Sequence, residues 1–118
     1  MPKKKYYCPV EVTVDTIGGK WKARIFWHLS HQTYRYGQLK KLIPEITGKM
    51  LAQALRELET DGLINRTESC HKVVTVEYAL TEYGEGLTPI LQFMSQWGQS
   101  HLRQIQVKEE KSTGSDLG

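Results

Sequence analysis

Two thiols are the first candidates for chemistry in this chain. Cys8 stands in "KKKYYCPVEV", residues 3–12, behind three lysines and two tyrosines and in front of a proline, and Cys70 lies in "ESCHK". Pro9 suits the first turn of a helix, which would make Cys8 its N-cap. The partial positive charge of that terminus and the neighbouring Lys3, Lys4 and Lys5 would then favour a reactive thiolate, so Cys8 is a candidate redox or electrophile sensor. A small apolar residue at a helix start is the plainer role for the same position. The two cysteines have neither metal-ligand nor disulfide-framework spacing.

Other reactive patterns fail on spacing. "GGK" at 18–20 is followed by Trp21, not by the Ser/Thr of a phosphate loop. His28 and His31 could share a helix face, but no Cys, Asp or Glu at ligand spacing joins them, so packing or surface histidines are expected and no metal or other cofactor is implied. Trp21, Trp27 and Trp97 fit core and interface roles better than a flat aromatic ligand site. A small thiol enzyme would need a histidine or a second cysteine near Cys8, and neither is there. The expectation is a protein that is not an enzyme.

At 118 residues and 39% hydrophobic, the chain suits one small domain. No run of about 18 apolar residues is available to span a bilayer, and no apolar stretch of a signal peptide follows the first lysines, so a cytosolic location without membrane contact is expected, with both cysteines kept as thiols. Net charge is only +3, but residues 1–72 carry 13 Lys/Arg against 7 Asp/Glu, while residues 73–118 carry 3 against 6. The basic part is where a polyanion would dock.

These residues need elements to position them. "VEVTVD" alternates like a strand, whereas Pro9 argues for a helix start, and the pattern leaves both open. After Gly18 and Gly19, "KWKARIFWHLSH" repeats apolar residues at helical spacing, predicting a helix over 20–30. "YRYGQLKKLIP" reads as a short basic helix ended by Pro44. Thr47 can cap a following helix that runs to Gly62, so the two form a helix-turn-helix.

In that second helix Met50, Leu51, Ala54, Leu55 and Leu58 form the predicted inner face, and Lys49, Ala52, Gln53, Arg56 and Thr60 the outer one. Lys and Arg suit guanine O6 and N7, Gln suits adenine, and small residues permit close approach, as a major-groove reader requires. An ordinary solvated face would have a similar composition. Next, "LINRT" and "VVTVEYALT" read as a hairpin joined by "ESCHK", completing a winged helix-turn-helix whose wing tip lies at 69–72. His71 and Lys72 there could touch phosphate or the minor groove. Thr81 can cap a last helix, with Pro89 in its first turns and apolar residues recurring through Ile105. That broad apolar face calls for a partner helix, the plainer alternative being that it packs only on its own domain. The stretch 107–118 reads as a disordered tail.

With these residues in place, the chain resembles the HxlR family of bacterial winged-helix transcriptional regulators. The resemblance runs from about Cys8 to His101 and is carried by "CPVE" at 8–11, "IGGKW" at 17–21, "YGQLKKLIPEIT" at 36–47, "LAQALRELETDGLINRT" at 51–67, "VEYALTEYG" at 76–84 and "WG" at 97–98. It implies a mainly α fold with a small β-hairpin wing (α+β), a winged helix-turn-helix with additional N- and C-terminal dimerisation helices, and it makes the first segment helical. The domain would span 8–106, after a basic arm at 1–7.

The resemblance further implies a homodimer on a near-palindromic double-stranded DNA operator. Thr47, Lys49, Met50, Gln53 and Arg56 match the family's recognition helix. Gln38, Lys40 and Lys41 on the preceding helix, and Arg66, His71 and Lys72 on the wing, would contribute further DNA contacts. Some relatives sense thiol oxidants or electrophiles through an N-terminal cysteine placed like Cys8. A Cys8–Cys70 bridge would need the Cα atoms within about 7 Å, which a wing far from the dimer interface disfavours. The chain departs from many relatives in carrying Val73 and Val74 where they have two prolines, so the family's wing contact does not carry over directly. Nothing in the sequence names an effector. The competing reading is a winged-helix protein-interaction module without base-specific readout, which would leave the charge asymmetry without a use.

Overall fold

The computed structural model describes Lys5, residues 8–70 and residues 72–117. The expected basic arm therefore lies, apart from Lys5, outside the described residues. The chain falls into two compact units, Met1–Leu87 and Thr88–Gly118.

The first unit begins with α1 (Pro9–Ile17). Its helical state settles the conflict between period and proline in favour of Pro9. Pro9 starts the helix and Glu11 lies in the first turn, where a carboxylate suits the dipole. The alternating Val10, Val12 and Val14 are left exposed. Helix α2 (Lys22–Leu29) buries Ile25, Phe26 and Leu29. A two-residue strand, β1 (Tyr34–Arg35), is too short to show any period and was not expected from the sequence. Helices α3 (Tyr36–Leu42) and α4 (Gly48–Thr60) follow, joined by residues 43–47. The hairpin is β2 (Ile64–Cys70) with β3 (Val74–Leu80), and β1 adds to the other side of β3 to give an antiparallel sheet of order β1-β3-β2.

Two details differ from the predicted wing. The polar run "ESC" belongs to β2 and is paired with β3 as far as Cys70 opposite Val74. A proline at 74 could not donate to that ladder, so the valine chemistry is compatible with a hairpin paired close to its tip. The predicted single helix from Thr81 is instead α5 (Glu82–Glu85) and α6 (Thr88–Leu117). Pro89 lacks an N–H and would clash with the carbonyl four residues back, so it is accommodated in the first turn of a new helix.

The core of the first unit is Ile17, Trp21, Ile25 and Phe26 with Leu39, Ile43, Ile46 and the inner face of α4. α4 ends in a Schellman motif: Leu63 N–H donates to the Leu58 carbonyl at 3.0 Å and Gly62 N–H to Glu59 at 3.0 Å, with Gly62 at φ 76°. Thr81 then donates its hydroxyl to the Gly62 carbonyl at 2.6 Å and accepts from Gly84 N–H at 2.8 Å, tying the start of α5 to the end of α4.

The second unit is α6. It exposes Ile90, Phe93, Met94, Trp97, Leu102 and Ile105, and Trp97 stacks on His101 with centroids 4.8 Å apart. Its backbone stays helical through Leu117, where a disordered tail is expected from composition. The Lys and Glu residues at 108–111, which make the start of this stretch polar, are also good helix formers.

A Cβ at Gly84 would run into the Leu63 backbone carbonyl. Gly84→Ala is expected to lower stability by about 1–3 kcal/mol, read as a lower urea midpoint at unchanged slope.

Candidate nucleic-acid interface

Helix α4 is placed by contacts at its start and along its length. Thr47 Oγ1 accepts from Met50 N–H at 3.1 Å, the expected N-cap. Tyr36, at the start of α3, donates its hydroxyl to the Gly48 carbonyl at 2.9 Å, locking the two helices of the motif together. From α2, Lys22 reaches Glu57 at 3.0 Å, and Arg24 reaches Glu45 in the turn at 2.9 Å. Leu51, Ala54, Leu55 and Leu58 are buried beneath.

Lys49, Gln53 and Arg56 consequently share the outward side of α4, with Thr47 at its start, and all four are exposed. Their spacing of four and three residues makes one continuous stripe. Met50, assigned to the inner face from helical period, is instead 42% exposed. It lies at the border of the two faces in the first turn, where a one-residue periodic assignment is least decisive. Ala52 is half-buried.

The remaining candidates are spread over other elements. On α3, Gln38 accepts from Arg35 N–H at 2.8 Å, so its carbonyl end is occupied in starting the helix; Lys40 is half-buried and Lys41 exposed. Arg66, on β2, pairs with Glu68 at 3.3 Å. Lys72 is exposed two residues beyond the end of β2, a strand that runs about 20 Å from Ile64 to Cys70. His71 lies outside the described residues. Cys8 is exposed at the N-cap of α1 with extended backbone, and its side chain makes no capping bond.

Sequence reasoning missed the acidic and basic partners of this surface. Lys22 is distant in sequence from α4, and Arg24 from the turn that carries Glu45, and both pairs form only through packing. The exception was legible: Gln53 and Glu57 are an i,i+4 pair, with Gln53 Nε2 3.5 Å from Glu57 Oε1. The Lys22 ammonium holds the Glu57 carboxyl below its usual range, and the Arg24 guanidinium does the same for Glu45. His28 is edge-on to Tyr34, and His31 donates from Nδ1 to the Trp27 carbonyl at 2.7 Å. Burial, with the charges of Arg24 and His31, pushes the His28 pKa down. No grouping of three His, Cys, Asp or Glu suited to a metal occurs among the described residues.

The arrangement of three-stranded sheet, helix-turn-helix and wing defines a winged-helix protein whose α4 carries an outward stripe with Lys49 and Arg56. The HxlR-like helix-turn-helix family model matches residues 16–106, and the chain belongs to that family. It is similar to the HTH-type transcriptional regulator YtcD of Bacillus subtilis, 50% identical over 105 residues, which cover 89% of this chain and 83% of YtcD. Among solved structures it resembles the redox regulator HypR in its reduced form, at TM-score 0.80 and 41% identity over 85% of this chain and 99% of that one. The oxidised form of HypR matches at TM-score 0.75 and 45% identity, over 79% and 96%. YtcD is thus named as a regulator of transcription and HypR as a redox regulator. No helix among the described residues is long and apolar enough to cross a membrane.

Because Glu57 has a lowered folded pKa, its pairing contributes stability above its unfolded value near 4.5 and loses it as pH falls through the folded value. Glu57→Gln is expected to cost at most about 1 kcal/mol at pH 7, since the pair is partly exposed. The difference from wild type should shrink in urea melts as pH falls below about 4.5 and vanish once Glu57 is protonated in the folded state.

Proposed function

We propose that two copies of this protein bind a near-palindromic double-stranded DNA operator in the cytosol, with their α4 helices in successive major grooves about 34 Å apart. The observation that carries the reading is the stripe of Lys49, Gln53 and Arg56, held outward by a capped and core-anchored α4 in a family of transcriptional regulators. Gln53 and Arg56 would read base edges. Thr47 and the lysines of α3, α4 and the wing would position the backbone. Fluorescence anisotropy on an operator fragment is expected to show Gln53→Ala or Arg56→Ala losing about 1–3 kcal/mol and relaxing preference at one base pair per half-site. Lys41→Ala should weaken all sequences alike and reduce the salt slope by about 1. Binding to duplex DNA that is unchanged by all three substitutions would refute the assignment.

Dimerisation is supported by apolar surface left uncovered within each unit. Val10, Val12 and Val14 are exposed on α1, and on α6 Phe93 is 71% and Trp97 68% exposed. Large aromatic groups in a contiguous patch favour a protein partner, and a near-palindromic site calls for a second copy. Trp97→Glu is expected to sediment as a monomer and to lose operator affinity.

Redox or electrophile response through Cys8 is the further part of the proposal. It is supported by the exposed Cys8 at the start of α1 and by the similarity to the redox regulator HypR. Diamide is expected to modify Cys8, as read by mass spectrometry, and to change DNA affinity in wild type but not in Cys8→Ser. An unmodified Cys8 with unaltered DNA binding would exclude it.

A further inference from the structure

Gly48 is a glycine that its own backbone does not need. It is the first residue of α4 and has ordinary helical backbone, the positive-φ glycines among the described residues being Gly19 and Gly62. Glycine is a poor helix former, so the reason for it has to come from outside the helix. A Cβ at Gly48 would lie 3.0 Å from the Tyr36 hydroxyl, tighter than ordinary carbon contacts, and among the described residues would come within 4 Å of nothing else beyond its own helix. The space left by the missing methyl is room for Tyr36.

Tyr36 uses that room to make a bond. Its hydroxyl donates to the Gly48 carbonyl at 2.9 Å, across a separation of twelve residues. The helix does not depend on this bond, because a carbonyl has two lone pairs and the ladder takes one. Tyr36 is also 37% exposed, so water can replace the bond and its contribution to stability is small. What it does is join two parts of the fold. Tyr36 follows directly on β1, whose Tyr34 and Arg35 pair with Tyr78 and Glu77 of β3, and β3 is one strand of the wing. Gly48 stands between the Thr47 cap and Lys49 of the outward stripe. Of residues 48–51 only Leu51 is buried, so the core holds the start of α4 through one side chain and the Tyr36 bond supplies a second point.

We infer that Tyr36 and Gly48 are positioning residues that set the start of α4 against the wing, and that they determine how well the protein tells its operator from other duplex DNA. Neither needs to touch a base. Base-edge hydrogen bonds require their donors held to within about 0.5 Å, whereas attraction to phosphates depends on charge and tolerates a looser helix. Loosening the start of α4 therefore costs affinity for the operator and spares affinity for unrelated sequence. This role presupposes the DNA reading above, and the test separates the two.

The test uses the full chain, with a duplex that the wild type enriches from a random-sequence library as the operator probe and a scrambled duplex of the same length and composition as the control. In anisotropy titrations Tyr36→Phe should bind the enriched duplex about tenfold more weakly, within the range that one base-reading pair contributes, and the scrambled duplex within about twofold of wild type. Gly48→Ala, which forces the hydroxyl away, should show the same loss in the wild-type background and no further loss in Tyr36→Phe, where the hydroxyl is gone. A urea midpoint of Tyr36→Phe close to that of wild type shows that the loss is not unfolding. Unchanged discrimination by Tyr36→Phe overturns the inference, and equal weakening on both duplexes overturns it in favour of a hydroxyl that contacts phosphate. Gly48→Ala costing as much in Tyr36→Phe as in wild type overturns the joint action of the two residues. A wild type that enriches no sequence sinks the DNA reading and this inference with it, whereas enrichment followed by intact discrimination in Tyr36→Phe sinks the inference alone.

Discussion

Everything that this fold presents to the outside depends on α4 satisfying two opposite demands. One side must bury Leu51, Ala54, Leu55 and Leu58, each large side chain contributing about 1.5–3 kcal/mol, against a core that includes Ile25 and Phe26 of α2. The other must remain wet and basic. A helix can do both because its residues return to one face every three to four positions. The inner leucines thus determine the rotation of the helix, and the direction in which Lys49, Gln53 and Arg56 point follows from it.

Rotation alone does not place the helix along its axis. The Thr47 cap and the Tyr36 bond hold its first turn, and the Schellman turn at Gly62 stops it and starts the hairpin. Lys22 and Arg24 add ion pairs from α2 to Glu57 and Glu45. These pairs are partly exposed, and their value lies more in orientation than in stability. They also put two carboxylates among the cations of this region, so its attraction for a polyanion is less than its lysine and arginine content suggests.

Apolar exposure has a different meaning in the two units. In the first, the core is closed and the exposed valines of α1 result from a helix forming where the sequence alternates. In the second, a single long helix cannot close a core of its own, and the aromatic residues of α6 are exposed for that reason. Both features support the proposed dimer.

Much of this architecture was legible from the residues. Thr47 and Gly62 mark the ends of α4, the leucine spacing gives its buried side, and the β-branched runs give the hairpin, because these signals are local and act over one turn or one strand. Three features were not legible in the same way. β1 is two residues long and exists only because β3 offers a pairing edge. Met50 sits at the border between faces, where burial depends on the neighbouring element and not on period. The meeting of Lys22 with Glu57, and of Trp21 with the edge of α4, joins residues more than 25 positions apart. Sequence by itself therefore determined the helix-turn-helix, its caps and the identity of the outward stripe, since propensity and periodicity are written along the chain. Tertiary packing alone decided which charges the stripe has for neighbours and brought the Tyr36 hydroxyl to the Gly48 carbonyl, because both depend on distances that only the folded backbone defines.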